Sequence, residues 1–161
     1  GPWYYEQASL GFNYRLTDIQ SALGWSQLQK LETFHAVRER LADRYDRLLT
    51  GLPIKLPAHA PSATATARSS WHLYVIEVLP GDGVASRETV FKRLWDASIA
   101  VNVHYIPIHT QPFYRARGFR TGQFPAAEAY YAGAISIPLY PNLTDAQQDY
   151  VVAELKNALV A

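Results

Sequence analysis

The sequence predicts an α+β fold, an α/β-type small domain in which a long connecting helix is followed by a small sheet covered by helices. Three observations carry this expectation. An apolar stripe at helical spacing occupies residues 17–50; β-forming runs alternate with short helical patterns after residue 70; Pro and Gly stand at the joints. A chain of 161 residues holds one compact domain, or one domain with an extension. The predicted division is 1–52, an N-terminal segment with the long helix, and 53–161, the compact C-terminal domain.

The elements follow in order. Ile19, Leu23, Leu28, Leu31, Phe34, Val37, Leu41, Tyr45 and Leu48 recur at steps of mostly three and four, which lays one stripe along a helix. Thr17 is its predicted N-cap, Gln20 the capping-box partner, and Gly51 with Pro53 the stop. Such a helix is roughly 50 Å long at 1.5 Å per residue, longer than a small domain is wide, so it is expected to link two bodies or to pack on another chain. Residues 53–70 carry three prolines and a Ser/Ala/Thr run and read as a loop. Trp71–Val78 is a predicted strand ended by Pro80-Gly81-Asp82-Gly83, Ser86 caps a predicted helix through Trp95, and Ile99–Ile106 is a second predicted strand stopped by Pro107. Pro125 opens a short predicted helix reaching Tyr131. Ala134–Ile137 is a brief strand, and Thr144 with Gln147 forms a second capping box for a last helix that turns Val151, Val152, Leu155 and Leu159 inward.

Composition narrows function. Hydrophobic residues at 48% supply a real core, which excludes a disordered linker. A formal charge of +1, with no basic cluster, argues against a nucleic-acid partner and against a polybasic membrane binder. The absence of Cys removes disulfides, zinc–thiolate sites and thiol nucleophiles. No apolar run reaches the roughly 18–20 residues that span a bilayer, so no membrane partner is expected and a soluble, cytoplasmic protein is. With Gly1-Pro2 at its head and no Met, the chain is not expected to begin at an initiator codon.

Asn13 and Arg15 stand just before a predicted helix start, where free N–H groups and a partial positive charge favour anions. Two apart in an extended segment, they point the same way and suit phosphate oxygens. The alternative pairs Arg15 with Asp18 and folds Asn13 into an Asx turn. His104 and His109, five apart with Pro107 between them and no third ligand fixed nearby, are not expected to hold a metal. On the residues alone, His104 and Tyr105 are expected to alternate across a half-buried strand and Tyr114 to fill a loop. His72 is expected to be a core or edge histidine, and Tyr130, Tyr131 and Tyr140 to be packing residues.

Four stretches together resemble the DegT/DnrJ/EryC1/StrS family of sugar aminotransferases. They are Gly11-Phe12-Asn13-Tyr14-Arg15-Leu16-Thr17-Asp18 through Gly24; Ser70-Trp71-His72-Leu73-Tyr74; Val103-His104-Tyr105-Ile106-Pro107-Ile108-His109 with Pro112 and Tyr114; and Pro125-Ala126-Ala127-Glu128 through Ala134-Ile135-Ser136-Ile137-Pro138-Leu139-Tyr140-Pro141. The order matches the family's along essentially the whole chain. The resemblance implies the C-terminal small domain and connecting helix of a fold-type I enzyme dependent on pyridoxal 5'-phosphate (PLP), whose complete form transfers an amino group, with glutamate as expected donor, to a nucleotide-linked keto sugar. UDP-4-keto-6-deoxy sugars are the nearest class. It further implies a homodimer formed through the long helix and N-terminal segment, with Asn13 and Arg15 reaching the phosphate of the partner's PLP, and His104, Tyr105, His109 and Tyr114 at the mouth of the active site beside the nucleotide sugar.

The chain departs from a complete enzyme of that family. Its lysines, Lys30, Lys55, Lys92 and Lys156, read as solvated charges, and none matches the lysine that holds PLP covalently, which the resemblance expects before Gly1. No catalytic residue is therefore assigned within these 161 residues, and the chain alone is expected to be inactive and not to bind PLP. The rival is a non-catalytic module, either an oligomerising unit or a sugar-nucleotide-binding one whose catalytic half is lost, with Trp3-Tyr4-Tyr5 and the long helix serving self-association.

Overall fold

The computed structural model describes residues 4, 6, 9, 11, 12, 14–58 and 69–161. Contacts divide the chain into two compact units, Gly1–Thr33 and Phe34–Ala161. The first contains α1, Asp18–Leu28, which begins as the sequence predicts: the Thr17 hydroxyl accepts from Gln20 N–H and the Gln20 side chain accepts from Thr17 N–H. None of its residues is buried.

The predicted single helix over 17–50 is broken. α1 stops at Leu28, Gln29 and Lys30 form a turn in which Lys30 N–H donates to Gln27 O at 3.0 Å, and α2 runs Leu31–Leu49. The hydrogen-bond ladder tightens there to a three-residue step. No Pro or Gly marks the place, but the step of five from Leu23 to Leu28 puts the two stripes out of phase by more than a third of a turn.

The second unit holds the rest: β1 (Ile54–Lys55), β2 (Tyr74–Val78), α3 (Arg87–Asp96), a 3₁₀ turn at Ile108–Thr110, α4 (Pro112–Arg115), α5 (Pro125–Gly133), β3 (Ala134–Ile137) and α6 (Asp145–Leu159). The three strands form one antiparallel sheet in the order β1-β2-β3, with Ile54 opposite Val78, and Tyr74 and Ile76 opposite Ile137 and Ile135. Helices with a small sheet make this the α+β fold expected, with local corrections. The proline-bounded loop hides β1, whose two residues are too few to show a period. Strand Trp71–Val78 starts only at Tyr74, because Trp71 takes φ 47° and leaves the extended region. Ile99–Ile106 is not a strand: Asn102 alone bridges to Ser136, and the chain then turns away to Pro107. His72 is exposed.

Strand period two sorts the sheet's faces. Tyr74, Ile76, Ile135 and Ile137 are buried with Leu41, Tyr45, Leu94, Val151 and Leu155 in one core. A side chain such as Leu155 or Ile76, withdrawn fully from water, stabilises by about 1.5–3 kcal/mol. The Tyr45 and Tyr74 rings lie 5.0 Å apart, and their hydroxyls are satisfied by Pro138 O at 3.0 Å and Asp46 Oδ1 at 2.5 Å. Burial raises both phenols well above their ordinary range, with the Asp46 hydrogen bond adding to the effect at Tyr74. Buried Gln148 ties α6 to α2 by donating to Leu41 O at 2.7 Å. The reverse face carries Val75, Glu77, Ala134 and Ser136, with Lys55 paired to Glu77 at 2.9 Å across the strands. Gly133 is where α5 meets β2 most closely: a Cβ there would stand 2.8 Å from Val78 O, so only glycine fits.

Candidate functional site

The site residues of the second unit collect between the reverse face of β3 and the start of α5. Ser136 points away from the core because Ile135 and Ile137 point into it, and its hydroxyl shares a 2.7 Å hydrogen bond with His104 Nδ1. That bond anchors a half-buried imidazole whose neighbour Tyr105 stands 69% exposed, the two rings meeting edge to face at 4.6 Å.

Past Pro107 the chain makes the 3₁₀ turn that carries His109, then α4, whose first residue Pro112 needs no amide donor. His109 is buried, 7% exposed, and its Nε2 lies 2.8 Å from Glu128 Oε1. The same carboxylate accepts from Gly122 N–H at 2.7 and 3.0 Å. Gly122 sits at φ 91°, which an L side chain rarely adopts, and this aims its N–H at α5. The His109 hydrogen bond first, and the Gly122 N–H next, hold the Glu128 carboxyl below the usual carboxylate range.

Aromatic rings complete the surroundings. His109 contacts Phe124 at 4.8 Å, Phe124 stacks toward Phe119 at 6.4 Å, and Phe119 meets Tyr114 at 6.0 Å. With Tyr105, Ile106 and Ile108 these rings wall an open cavity of about 480 Å³. Glu128 and Arg115 line a second, more polar cavity beside it. The structure thus brings Tyr105, His109 and Tyr114 to one cavity, with His104 adjoining Tyr105. Glu128, Phe119 and Phe124 went unrecognised as members, because the Glu128–His109 contact spans 19 residues and leaves no local spacing signal.

In the first unit, Asn13 lies outside the described residues. Arg15 is exposed and, among the described residues, makes no ion pair with Asp18 or any other carboxylate. Lys30, Lys92 and Lys156 are exposed, and Lys55 is engaged by Glu77. Among the described residues no three side chains converge as metal ligands, and no helix is long and apolar enough to cross a membrane.

In the second unit a strand-anchored histidine borders an open aromatic cavity; in the first, Arg15 stands two residues before the cap of α1. Residues 2–156 match the sequence profile of the DegT/DnrJ/EryC1/StrS aminotransferase family. The chain belongs to that family. It is 34% identical over 159 residues to the spore coat polysaccharide biosynthesis protein SpsC of Bacillus subtilis, an alignment covering 98% of this chain and 40% of SpsC. Among solved structures, it is similar to the PLP form of the putative sugar aminotransferase Spr1654 of Streptococcus pneumoniae, at 32% identity and a TM-score of 0.83, covering 97% of this chain and 39% of that one. It is likewise similar to Helicobacter pylori PseC, an aminotransferase involved in pseudoaminic acid biosynthesis, at 30% identity and a TM-score of 0.78, covering 98% and 41%. The chain thus spans about two fifths of the length of these relatives.

Proposed function

We propose that this chain is the C-terminal portion of a PLP-dependent aminotransferase that moves an amino group, from glutamate, onto a nucleotide-linked keto sugar of the UDP-4-keto-6-deoxy type. The family match along residues 2–156 carries this reading. Residues 1–52 serve as interface segment and connecting helix and 53–161 as the small domain, onto which most of α2 packs.

PLP, when bound, supplies the electron sink for moving an amino group. The residues present suit its phosphate end. Arg15 offers a solvent-facing guanidinium with no carboxylate partner among the described residues, two positions before the Thr17 cap of α1. With Asn13 it would hold the phosphate belonging to a second subunit, and the covalent lysine would come from elsewhere in the complete enzyme. The exposed apolar side chains Ile19, Leu23, Trp25 and Leu28 support a homodimer through this segment. His104, Tyr105 and Tyr114 would contact the sugar nucleotide, while His109, buried against Glu128, would shape the wall behind them.

The direct test incubates the full-length protein with PLP, glutamate and a UDP-4-keto-6-deoxy sugar. Release of 2-oxoglutarate with conversion of ketone to amine by mass spectrometry is the expected result, and no amino sugar with any nucleotide keto sugar would reject it. Arg15→Ala should weaken PLP retention on dialysis, because the phosphate loses a charge-assisted partner. Unchanged occupancy would remove Arg15 from the phosphate site.

A further inference from the structure

We propose that Glu128 is a positioning residue, fixing through His109 and Gly122 the two stretches of chain that wall the aromatic cavity, and thereby setting how Tyr105 and Tyr114 meet the sugar nucleotide. The functional half of this inference rests on the reading above; the structural half stands on geometry alone.

The cavity wall comes from two stretches, 105–109 and 119–124, joined through α4 and closed by α5. Its lining is almost wholly carbon: Tyr105, Ile106, Ile108, Phe119 and Phe124 attract one another without direction, and non-directional packing does not choose one arrangement. Among the described residues, the directional tie between the two stretches is the Glu128 carboxylate, which joins His109 from the first to Gly122 from the second and itself projects from the first turn of α5. His109 is 7% exposed, so losing this acceptor would strand a buried imidazole N–H. The Phe124 ring, 4.8 Å from His109, would lose its backing in the same event. One carboxylate therefore sets the spacing of both walls. Arg115, from α4, and Tyr131, from α5, share the neighbouring cavity with Glu128, but neither forms a hydrogen bond or ion pair with it among the described residues.

The test compares Glu128→Ala with Glu128→Gln, whose amide oxygen retains an acceptor at the same reach. In the 161-residue chain, NMR should show the Gly122 amide and the His109, Phe124 and Tyr105 ring resonances displaced by Glu128→Ala and largely restored by Glu128→Gln. In the full-length protein, Glu128→Ala should raise the KM for the sugar nucleotide by about tenfold while the KM for glutamate stays within about twofold, and Glu128→Gln should recover most of the loss. A purely structural staple would instead depress both half-reactions together. Unmoved resonances, or equal effects on both substrates, would overturn the proposal. Should Tyr105→Ala and Tyr114→Ala leave the sugar KM unchanged while the NMR displacements occur as expected, the reading of function fails and the positioning geometry survives.

Discussion

α1 and α6 begin alike and end differently. Each opens with Thr-x-x-Gln, and in each the threonine hydroxyl and glutamine side chain exchange hydrogen bonds with the opposite backbone N–H. Each carries apolar residues at helical steps. α6 buries Val151, Val152, Leu155 and Leu159, whereas α1 buries nothing and leaves Ile19 at 83% and Leu23 at 62% exposure. A capping box therefore decides where a helix starts, and only a facing surface decides whether its stripe contributes to stability.

Paired substitutions test that contrast. The largest expected effect is Leu155→Ala, which opens a cavity under the sheet and should cost about 3 kcal/mol by urea denaturation. Its counterpart Leu23→Ala should change the same transition by less than about 0.5 kcal/mol. Equal losses would mean that α1 has a partner in the isolated chain. Next comes the cap: Thr144→Ala should cost about 1 kcal/mol of global stability, while Thr17→Ala should lower helicity without moving the urea midpoint.

Smallest is a pH effect carried by α6. Asp145 is held below its ordinary pKa of 3.8, first by the hydrogen bond from Arg40 and also by the charges of Arg40 and Arg44. The unfolded chain then binds the proton more readily, so this contribution is complete above the ordinary carboxylate value and is lost as pH falls through the lower folded one. The urea midpoint should hold from about pH 7 to 5 and drop below about pH 4. In Arg40→Gln part of that drop should vanish; an unchanged profile would show the pair contributes nothing. Glu128 acts in the same direction, so the flattening should be partial.

What the sequence disclosed follows the range of the forces involved. Thr17, Ser86 and Thr144 were readable as caps because the side chain bonds backbone three residues away, and Ala134–Ile137 was readable because β-formers follow a short helix closed by glycine. The failures are non-local. Ile99–Ile106 has the composition of a strand, yet strand character needs a neighbour along its length, and only Asn102 finds one. The break at Gln29 and Lys30 has no breaker residue, and its one trace is the five-residue step before Leu28. At the site, the sequence points to His104, Tyr105, His109 and Tyr114, but nothing in their spacing separates solvent-facing Tyr105 from buried His109. That distinction is made by Glu128, which reaches His109 through the fold.

β3 serves two masters at once. Ile135 and Ile137 fill the interior while Ser136, between them, secures His104. Inserting or deleting a single residue in this four-residue strand would exchange inside for outside, placing a hydroxyl in the apolar interior and an isoleucine against the imidazole. A one-residue slip here would therefore cost the apolar interior and the anchorage of His104 together, and with α5 running directly into the strand at Gly133 no loop stands before it to absorb the change.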